Sequence, residues 1–417
     1  MTDPVQDPAP AAVRDGPTVS ASLPDCAAGM EQKSSAFAPM VALHTSGPAS
    51  WMPRSYAAFA REGYMQNAIV FRAVGMISAA VASVRLTSDR AATAEDDGAI
   101  AALLSRPNLM QSQADFLEHL VGQLLVAGNA YVQAVRVGEQ VQALHLLRPD
   151  RVRVVAGRDG WPEAYDVTLE GVRAGATMRL PAFDADGQRT VHHISFFHPL
   201  DDHYGLSPIE AAATAIDVHN KASAWNKALL DNAARPSGAL VYAAADGNLT
   251  PEQLTRLREE LEQSFQGARN AGRPLLLDGG LDWKAMGYSP KDMDFIEAKH
   301  GAAREIALAL GVPPMLVGIP GDATYANYSE ANRTFWRQTV LPLARRIVDG
   351  LAQWLAPHFP GDVLPRIDID GITALAGERD ALWARVDKAG FLTRNEKRAA
   401  VGLPAVAGGD QFCGGAA

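Results

Sequence analysis

The sequence predicts an α+β fold built from several parts, on three observations. A helical pattern runs without interruption from Pro208 to Ala234, longer than an ordinary globular helix. Alternating apolar residues between Ala130 and Leu169 read as strands. A mixed strand and helix pattern of about 50 residues then separates the first long helix from a second one, too much chain for a plain connection.

The long helix is specified at both ends. Ser207 can cap it, Pro208 suits the first helical position, and Glu210 stands where a capping box needs it. Pro236 and Gly238 stop it, giving a helix of roughly 40 Å. Its stripe is Ile209, Ala212, Ala213, Ile216, Ala222 and Leu229, mostly alanine, with Asp217, His219, Lys221, Lys227 and Asp231 around it. Alanine lets neighbouring helices approach closely, whereas the charges suit water or helix contacts.

At 417 residues, 47% hydrophobic, the chain has material for two or three domains. Its net charge of -9 argues against a broad basic surface that grips nucleic acid. Cys26 and Cys413 are the only cysteines, so there is no disulfide framework, and synthesis in a reducing cytoplasm is expected. No apolar run is long enough to span a membrane and no secretory leader is read.

Residues 1–50, rich in Pro, Ala, Ser and Asp, are expected to form a disordered arm. Asn67 can cap a helix bearing Ile69, Val70, Ala73, Val74, Ile77 and Val81. A short helix at Ala99–Leu104 precedes one opened by Ser112 and Asp115 and closed by Gly128. Ala130–Val137 and Val141–Leu147 form a hairpin, and Arg151–Val155 and Tyr165–Leu169 are further strands, so residues 51–204 form one α+β part. After Pro236, the segment GALVYA reads as a strand, Thr250 and Gln253 open a helix, and Pro274–Leu277 with Leu281–Met286 make a hairpin. The second long helix runs from Ser289 to Leu310 and is stopped by Gly311 and two prolines. Gly318–Tyr328 is a loop, after which Ser329 caps a helix to about Leu355 that should bend at Pro342. Ile367 and Ile369 mark a strand. Leu375–Val386 is helical, and Thr393 with Glu396 caps a last helix.

No Gly-Lys pair occurs, so the phosphate-binding loop of a packaging ATPase is absent, as are zincin and nucleophile-elbow motifs. His192, His193, His198, Asp201, Asp202 and His203 have the residue types of a metal site and carry the alternative reading, a cytosolic metal-dependent hydrolase. Their spacing matches no template, and on a strand His192 and His193 point to opposite faces, which favours a polar turn. Asp368, Asp370 and Gly371 echo a calcium loop, but Arg366 and Gly377 occupy ligand positions. A nuclease lacks its carboxylate and lysine constellation. No cofactor is expected.

Several local patterns, in order, resemble one family: the portal (head-to-tail connector) proteins of tailed bacteriophages, including those of gene transfer agents. They are LLSRPN at 103–108, GNAYV at 128–132, YGLSPIEAA at 204–212, RPSGAL at 235–240, GVPPMLVG at 311–318, TVLPL at 339–343 and GFLTRNEKRAAVGLP at 390–404.

The resemblance implies a non-enzymatic ring, commonly a dodecamer, at one capsid vertex, through which double-stranded DNA is packaged and ejected. Its partners would be the large terminase, the major capsid protein and head-tail adaptors. Residues 51–204 would be the wing, 205–235 and 289–311 the stem helices, 236–288 the clip, 312–372 the tunnel loop, kinked helix and wing return, and 373–417 the crown and tail. On that mapping Ile319, Asp322, Thr324, Tyr325, Asn327 and Tyr328 face the channel. Ile216, Lys221, Lys227, Asp231, Ile296 and Ile306 belong to the stem. Arg256, Arg258, Gln266, Arg269, Asn270 and Arg273 dock terminase or adaptors. Lys221 and Lys227 would make sparse phosphate contacts, against which stand helical-spacing salt bridges to Asp217 and Asp231.

Overall fold

A computed structural model describes residues 51–88, 98–138, 140–170, 175–231, 238–242, 252, 255–256, 281–285, 295–319 and 325–411, so the expected arm at 1–50 lies outside the described residues. Ser55 opens a turn, Tyr56–Ala58, that widens into a π-helix at Phe59–Met65. Helix α1, Ala68–Ala82, begins at Asn67, whose Oδ1 accepts from Ile69 N and Val70 N at 3.0 and 3.2 Å. Its stripe Val70, Ala73, Val74, Ile77 and Val81 is buried, while Ile69 is half-buried at the edge. Strand β1, Leu86–Ser88, and helix α2, Ala99–Ser105, follow. Helix α3, Gln113–Ala127, carries the reciprocal Ser112–Asp115 capping box and ends where Gly128 turns left-handed at φ 74°. Phe116, Leu120 and Leu124 of α3 meet α1 in the main core.

Strands β2, Asn129–Val137, and β3, Gln140–Leu147, form the expected hairpin. Strands β4, Val152–Ala156, β5, Pro162–Thr168, and β6, Thr177–Pro181, make a second sheet, ordered β4-β5-β6. Strand β7, Val191–Ser195, joins the free side of β2, so the first sheet is ordered β3-β2-β7. Tyr131, Val152, Tyr165, Val167, Ala182 and Val191 fill the space between the two sheets.

The expected single helix from Pro208 to Ala234 is instead two. Helix α4, Pro208–Ala211, stops at Ala212, whose ψ of 3° is off the helical range, and α5, Ala213–Asp231, continues. Ser207 Oγ accepts from Ile209 N at 3.0 Å, but its hydroxyl donates to Leu125 O at 3.0 Å, so the cap is one-sided rather than a box. The mostly alanine stripe reaches the main core: Ile209 and Ile216 are fully buried, with Ala212 and Ala215 between them in the main cluster.

Strands β8, Gly238–Tyr242, and β9, Leu281–Ala285, pair antiparallel. Glu252, Thr255 and Arg256 are helical, but the start of that helix at Thr250 and the strand Pro274–Leu277 lie outside the described residues. Helix α6, Phe295–Ala309, packs along α5, and its expected start at Ser289 also falls outside them.

A 3-10 turn at Pro314–Val317 leads towards helix α7, Tyr325–Phe335. The helix thus begins before Ser329, and Tyr325, Asn327 and Tyr328 lie in its first turns rather than in a loop. A π segment, Trp336–Val340, joins α7 to α8, Leu341–Leu355. Pro342, the expected bend, is the second residue of α8. Its missing N–H deprives the Gln338 carbonyl of the usual donor, and the chain answers with a wider turn. Strand β10, Pro365–Ile367, pairs with β1, a strand of only three residues that periodicity did not reveal. Helix α9, Ala376–Asp387, buries no side chain, and α10, Arg394–Ala400, has the expected Thr393–Glu396 capping box. Among the described residues no single helix is long and apolar enough to cross a membrane.

Candidate functional site

The glycine of GNAYV and the glycine of YGLSPIEAA meet. A Cβ on Gly128 would stand 2.3 Å from Gly205 O, and one on Gly205 would stand 2.2 Å from Gly128 O, so the two backbones cross where any side chain is excluded. Asn129 locks the crossing: its Oδ1 accepts from Gly205 N at 2.8 Å, and its Nδ2 donates to Ala127 O at 3.0 Å and Gly205 O at 3.3 Å. This fixes the entry of α4, and with it the direction of the first long helix.

At the same end of that helix pair, α6 delivers the chain to the helix that carries Pro342. Gly311 is left-handed at φ 67°, and Thr339 Oγ1, from the π segment, donates to Gly311 O at 2.5 Å. A Cβ at Gly311 would meet that hydroxyl at 2.9 Å. The turn of α6 into the 3-10 segment is therefore tied to the place where α7 and α8 join. Alanines Ala302, Ala303 and Ala307 of α6 are buried beside Ile306, which admits the close helix approach their size predicts.

Of the residues assigned to the channel, Ile319 is buried against Ala303 and Ala307, so its side chain faces α6 instead of open space. Asp322 and Thr324 lie outside the described residues, Tyr325 opens α7, and Asn327 and Tyr328 are exposed. Of the stem set, Ile216 and Ile306 are core, Ile296 is exposed, and Lys221 and Lys227 are exposed on α5. Asp231 is the last residue of α5. The expected salt bridge from Lys221 to Asp217 is not made: Asp217 is buried and accepts from Met52 N at 2.9 Å, which ties residue 52 to α5. Of the clip set Arg256 is exposed, whereas Arg258, Gln266, Arg269, Asn270 and Arg273 lie outside the described residues.

The histidine and aspartate cluster does not converge. The His192 ring stacks on Trp354 of α8, centroids 5.3 Å apart, and Gly350 leaves it room. His193, on the opposite face of β7, stacks on Tyr131 at 4.3 Å and places Nε2 2.9 Å from Asn129 Oδ1. Burial pushes both imidazoles down to about 4. His198 Nδ1 accepts from Leu200 N, and Asp201 Oδ1 accepts from His203 N and Tyr204 N, which holds its carboxyl below the usual range. These groups cap a turn. Among the described residues no three His, Cys, Asp or Glu side chains are placed to hold a metal ion.

Three links escaped sequence reasoning because their partners are far apart in the chain. Asn67 Nδ2 meets His219 Nδ1 at 3.1 Å and Asn220 Oδ1 at 2.9 Å, joining α1 to α5. Met52 reaches Asp217. Arg333 and Arg337, on either side of the α7 to π-segment join, converge on Glu378 of α9 at 3.5 and 3.3 Å.

The model of the family described as phage portal protein matches residues 68–402. The chain belongs to the phage portal protein family. An uncharacterized protein of Rickettsia felis is 39% identical over 353 residues, 84% of this chain and 90% of the relative. A subunit in the neck of an empty gene transfer agent particle, computed with C6 symmetry, is 52% identical, with a TM-score of 0.67 over 86% of this chain and 96% of that one. The corresponding match in the neck of the native particle, computed with C12 symmetry, is also 52% identical, with a TM-score of 0.65 over 87% and 97%. The Gly128–Gly205 crossing and the Gly311–Thr339 tie both lie inside the matched residues.

Proposed function

We infer that this chain is a portal: a structural, non-enzymatic ring subunit whose central channel passes double-stranded DNA into and out of a virion or gene transfer agent particle. The observation that carries this is the 52% identity to a subunit of a particle neck with twelve-fold symmetry, over almost the whole of that subunit. The dispersal of the histidine and aspartate cluster removes the support for a metal-dependent hydrolase. Imaging of the purified protein tests the reading, with rings of twelve subunits around a hole as the expected outcome. A compact monomer at every concentration would overturn it.

The parts follow from the same reading. Residues 51–204 form the wing, 205–235 and 289–311 the stem, 236–288 the clip, 312–372 the tunnel loop, kinked helix and wing return, and 373–417 the crown and tail. The clip docks the large terminase during packaging and adaptors afterwards, the major capsid protein surrounds the ring, and synthesis takes place in the bacterial cytoplasm. DNA contact is weak and non-specific, since phosphate contacts are what make such binding tight and the chain carries a net charge of -9. Lys221 and Lys227, exposed on α5, supply the sparse phosphate contacts if that face lines the channel. Deleting Gly321–Asn327 should leave rings intact and impair DNA packaging or retention. Loss of the rings themselves would make that segment structural.

A further inference from the structure

The turn after α2 is rigid where it is buried and apolar where it is exposed. Asn108 is buried, and every polar atom of its side chain is engaged: Oδ1 accepts from Met110 N at 2.9 Å, and Nδ2 donates to Gln111 Oε1 at 2.9 Å and Leu144 O at 3.0 Å. Leu144 N in turn donates to Pro107 O at 2.7 Å, so the turn is clamped to β3. The clamp presents Leu109 and Met110, 87% and 90% exposed, as an apolar knob. Two such side chains held out by a buried asparagine are costly to leave in water and cheap to order on a partner.

A groove of about 500 Å³ lies elsewhere on the chain, with Leu125, Ala211, Leu310, Pro342 and Leu343 among its walls. It is the crease where α3, the start of the first long helix, the end of α6 and the kinked helix come together. Its rim is apolar too, with Phe197 82% and Leu308 79% exposed.

Knob and groove lie on opposite sides of the fold. The knob precedes the N-terminus of α3 and the groove takes in Leu125 near its C-terminus, and a 15-residue helix separates its ends by about 20 Å. The knob is clamped to β3, one edge of the β3-β2-β7 sheet, whereas Phe196 and Phe197 continue β7, the other edge. A closed ring is heterologous: each subunit needs two different, complementary patches facing away from one another.

We propose that Leu109 and Met110 of one subunit seat in this groove of the next copy, between its α6 end and its kinked helix. The proposal rests on the ring reading and adds the contact that closes it. It also places a neighbour's side chains against Pro342 and Leu343, so the bend of each kinked helix is held from outside by the adjacent subunit.

Disulfide trapping in the full chain tests it. With Cys26→Ser and Cys413→Ser as background, Met110→Cys together with Leu308→Cys should give, on oxidation of assembled rings, a ladder of covalent multimers on a non-reducing gel. Either cysteine alone should give no ladder. In parallel, Leu109→Ser with Met110→Ser should keep the wild-type circular dichroism spectrum while raising the concentration needed for ring formation about tenfold or more. Rings that form without a ladder, together with a double-serine variant that assembles like wild type, overturn the contact but leave the ring reading intact. A cross-link from residue 110 to a different particle protein overturns it in favour of that partner. Wild-type protein that makes no ring at any concentration removes both.

Discussion

Helices α7 and α8 follow one another through the π segment without a break, yet the two halves are unlike. The α8 half buries nine side chains, among them Ile347, Leu351 and Leu355 in the main core. In the α7 half, residues 326–330 are all exposed, and burial is reached only at Phe335. The π segment and Pro342 stand between them. One half is a structural wall and the other is carried by it, so a change in the first should be felt as lost stability and a change in the second as altered function on an intact fold.

The largest break in that comparison comes from Leu351→Ala, at a fully buried position. It should cost about 2–5 kcal/mol in denaturant unfolding, by lost transfer energy and a residual cavity. Tyr328→Ala, on the exposed half, should stay within about 0.5 kcal/mol in the same measurement.

Acid should strike the α8 half next. His192 stacks on Trp354, and both it and His193 titrate near 4 in the fold against 6.5 when exposed. The unfolded chain therefore binds these protons first, so stability is complete above pH 6.5 and falls as pH drops towards 4, by about 3 kcal/mol for each ring at the limit. His192→Phe should flatten part of that slope in unfolding measured from pH 7 to 4.

The join itself is open to a smaller test. Thr339→Val removes the hydrogen bond to Gly311 O and should cost about 1 kcal/mol. Smallest is Glu378→Gln, which weakens the ion pairs of Arg333 and Arg337. These are partly exposed, so the loss should be under about 1 kcal/mol and should shrink further in high salt.

What the sequence made legible follows the range of the interactions. Caps act over three residues, so Asn67, Ser112 with Asp115, and Thr393 with Glu396 were readable, as was the hairpin on either side of Gly138. The Ser207 box was misread because its hydroxyl donates to Leu125, 82 residues away, which local spacing does not reveal. Strand β1 is three residues long, too short for alternation to register, whereas its partner β10 was marked by Ile367. Pro342 announced a disturbance but not its form, since a π turn has no residue signature beyond the proline. The family motifs were visible as strings, whereas their purpose, the mutual crossing of Gly128 and Gly205, required the fold.

The pairing of β1 with β10 joins Leu86 to Ile367, about 280 residues apart, and Ile100 N is bonded to Asp362 Oδ2 across a similar span. During synthesis at ~5–20 residues per second the early strand waits roughly 15–55 s for its mate to leave the ribosome. Helices α1 and α3 pair locally and can form at once, but the α8 wall that closes their core is made more than 200 residues later. The core is thus closed only once residues 341–367 have been made, and a nascent chain that lacks them leaves part of the α1 and α3 faces uncovered.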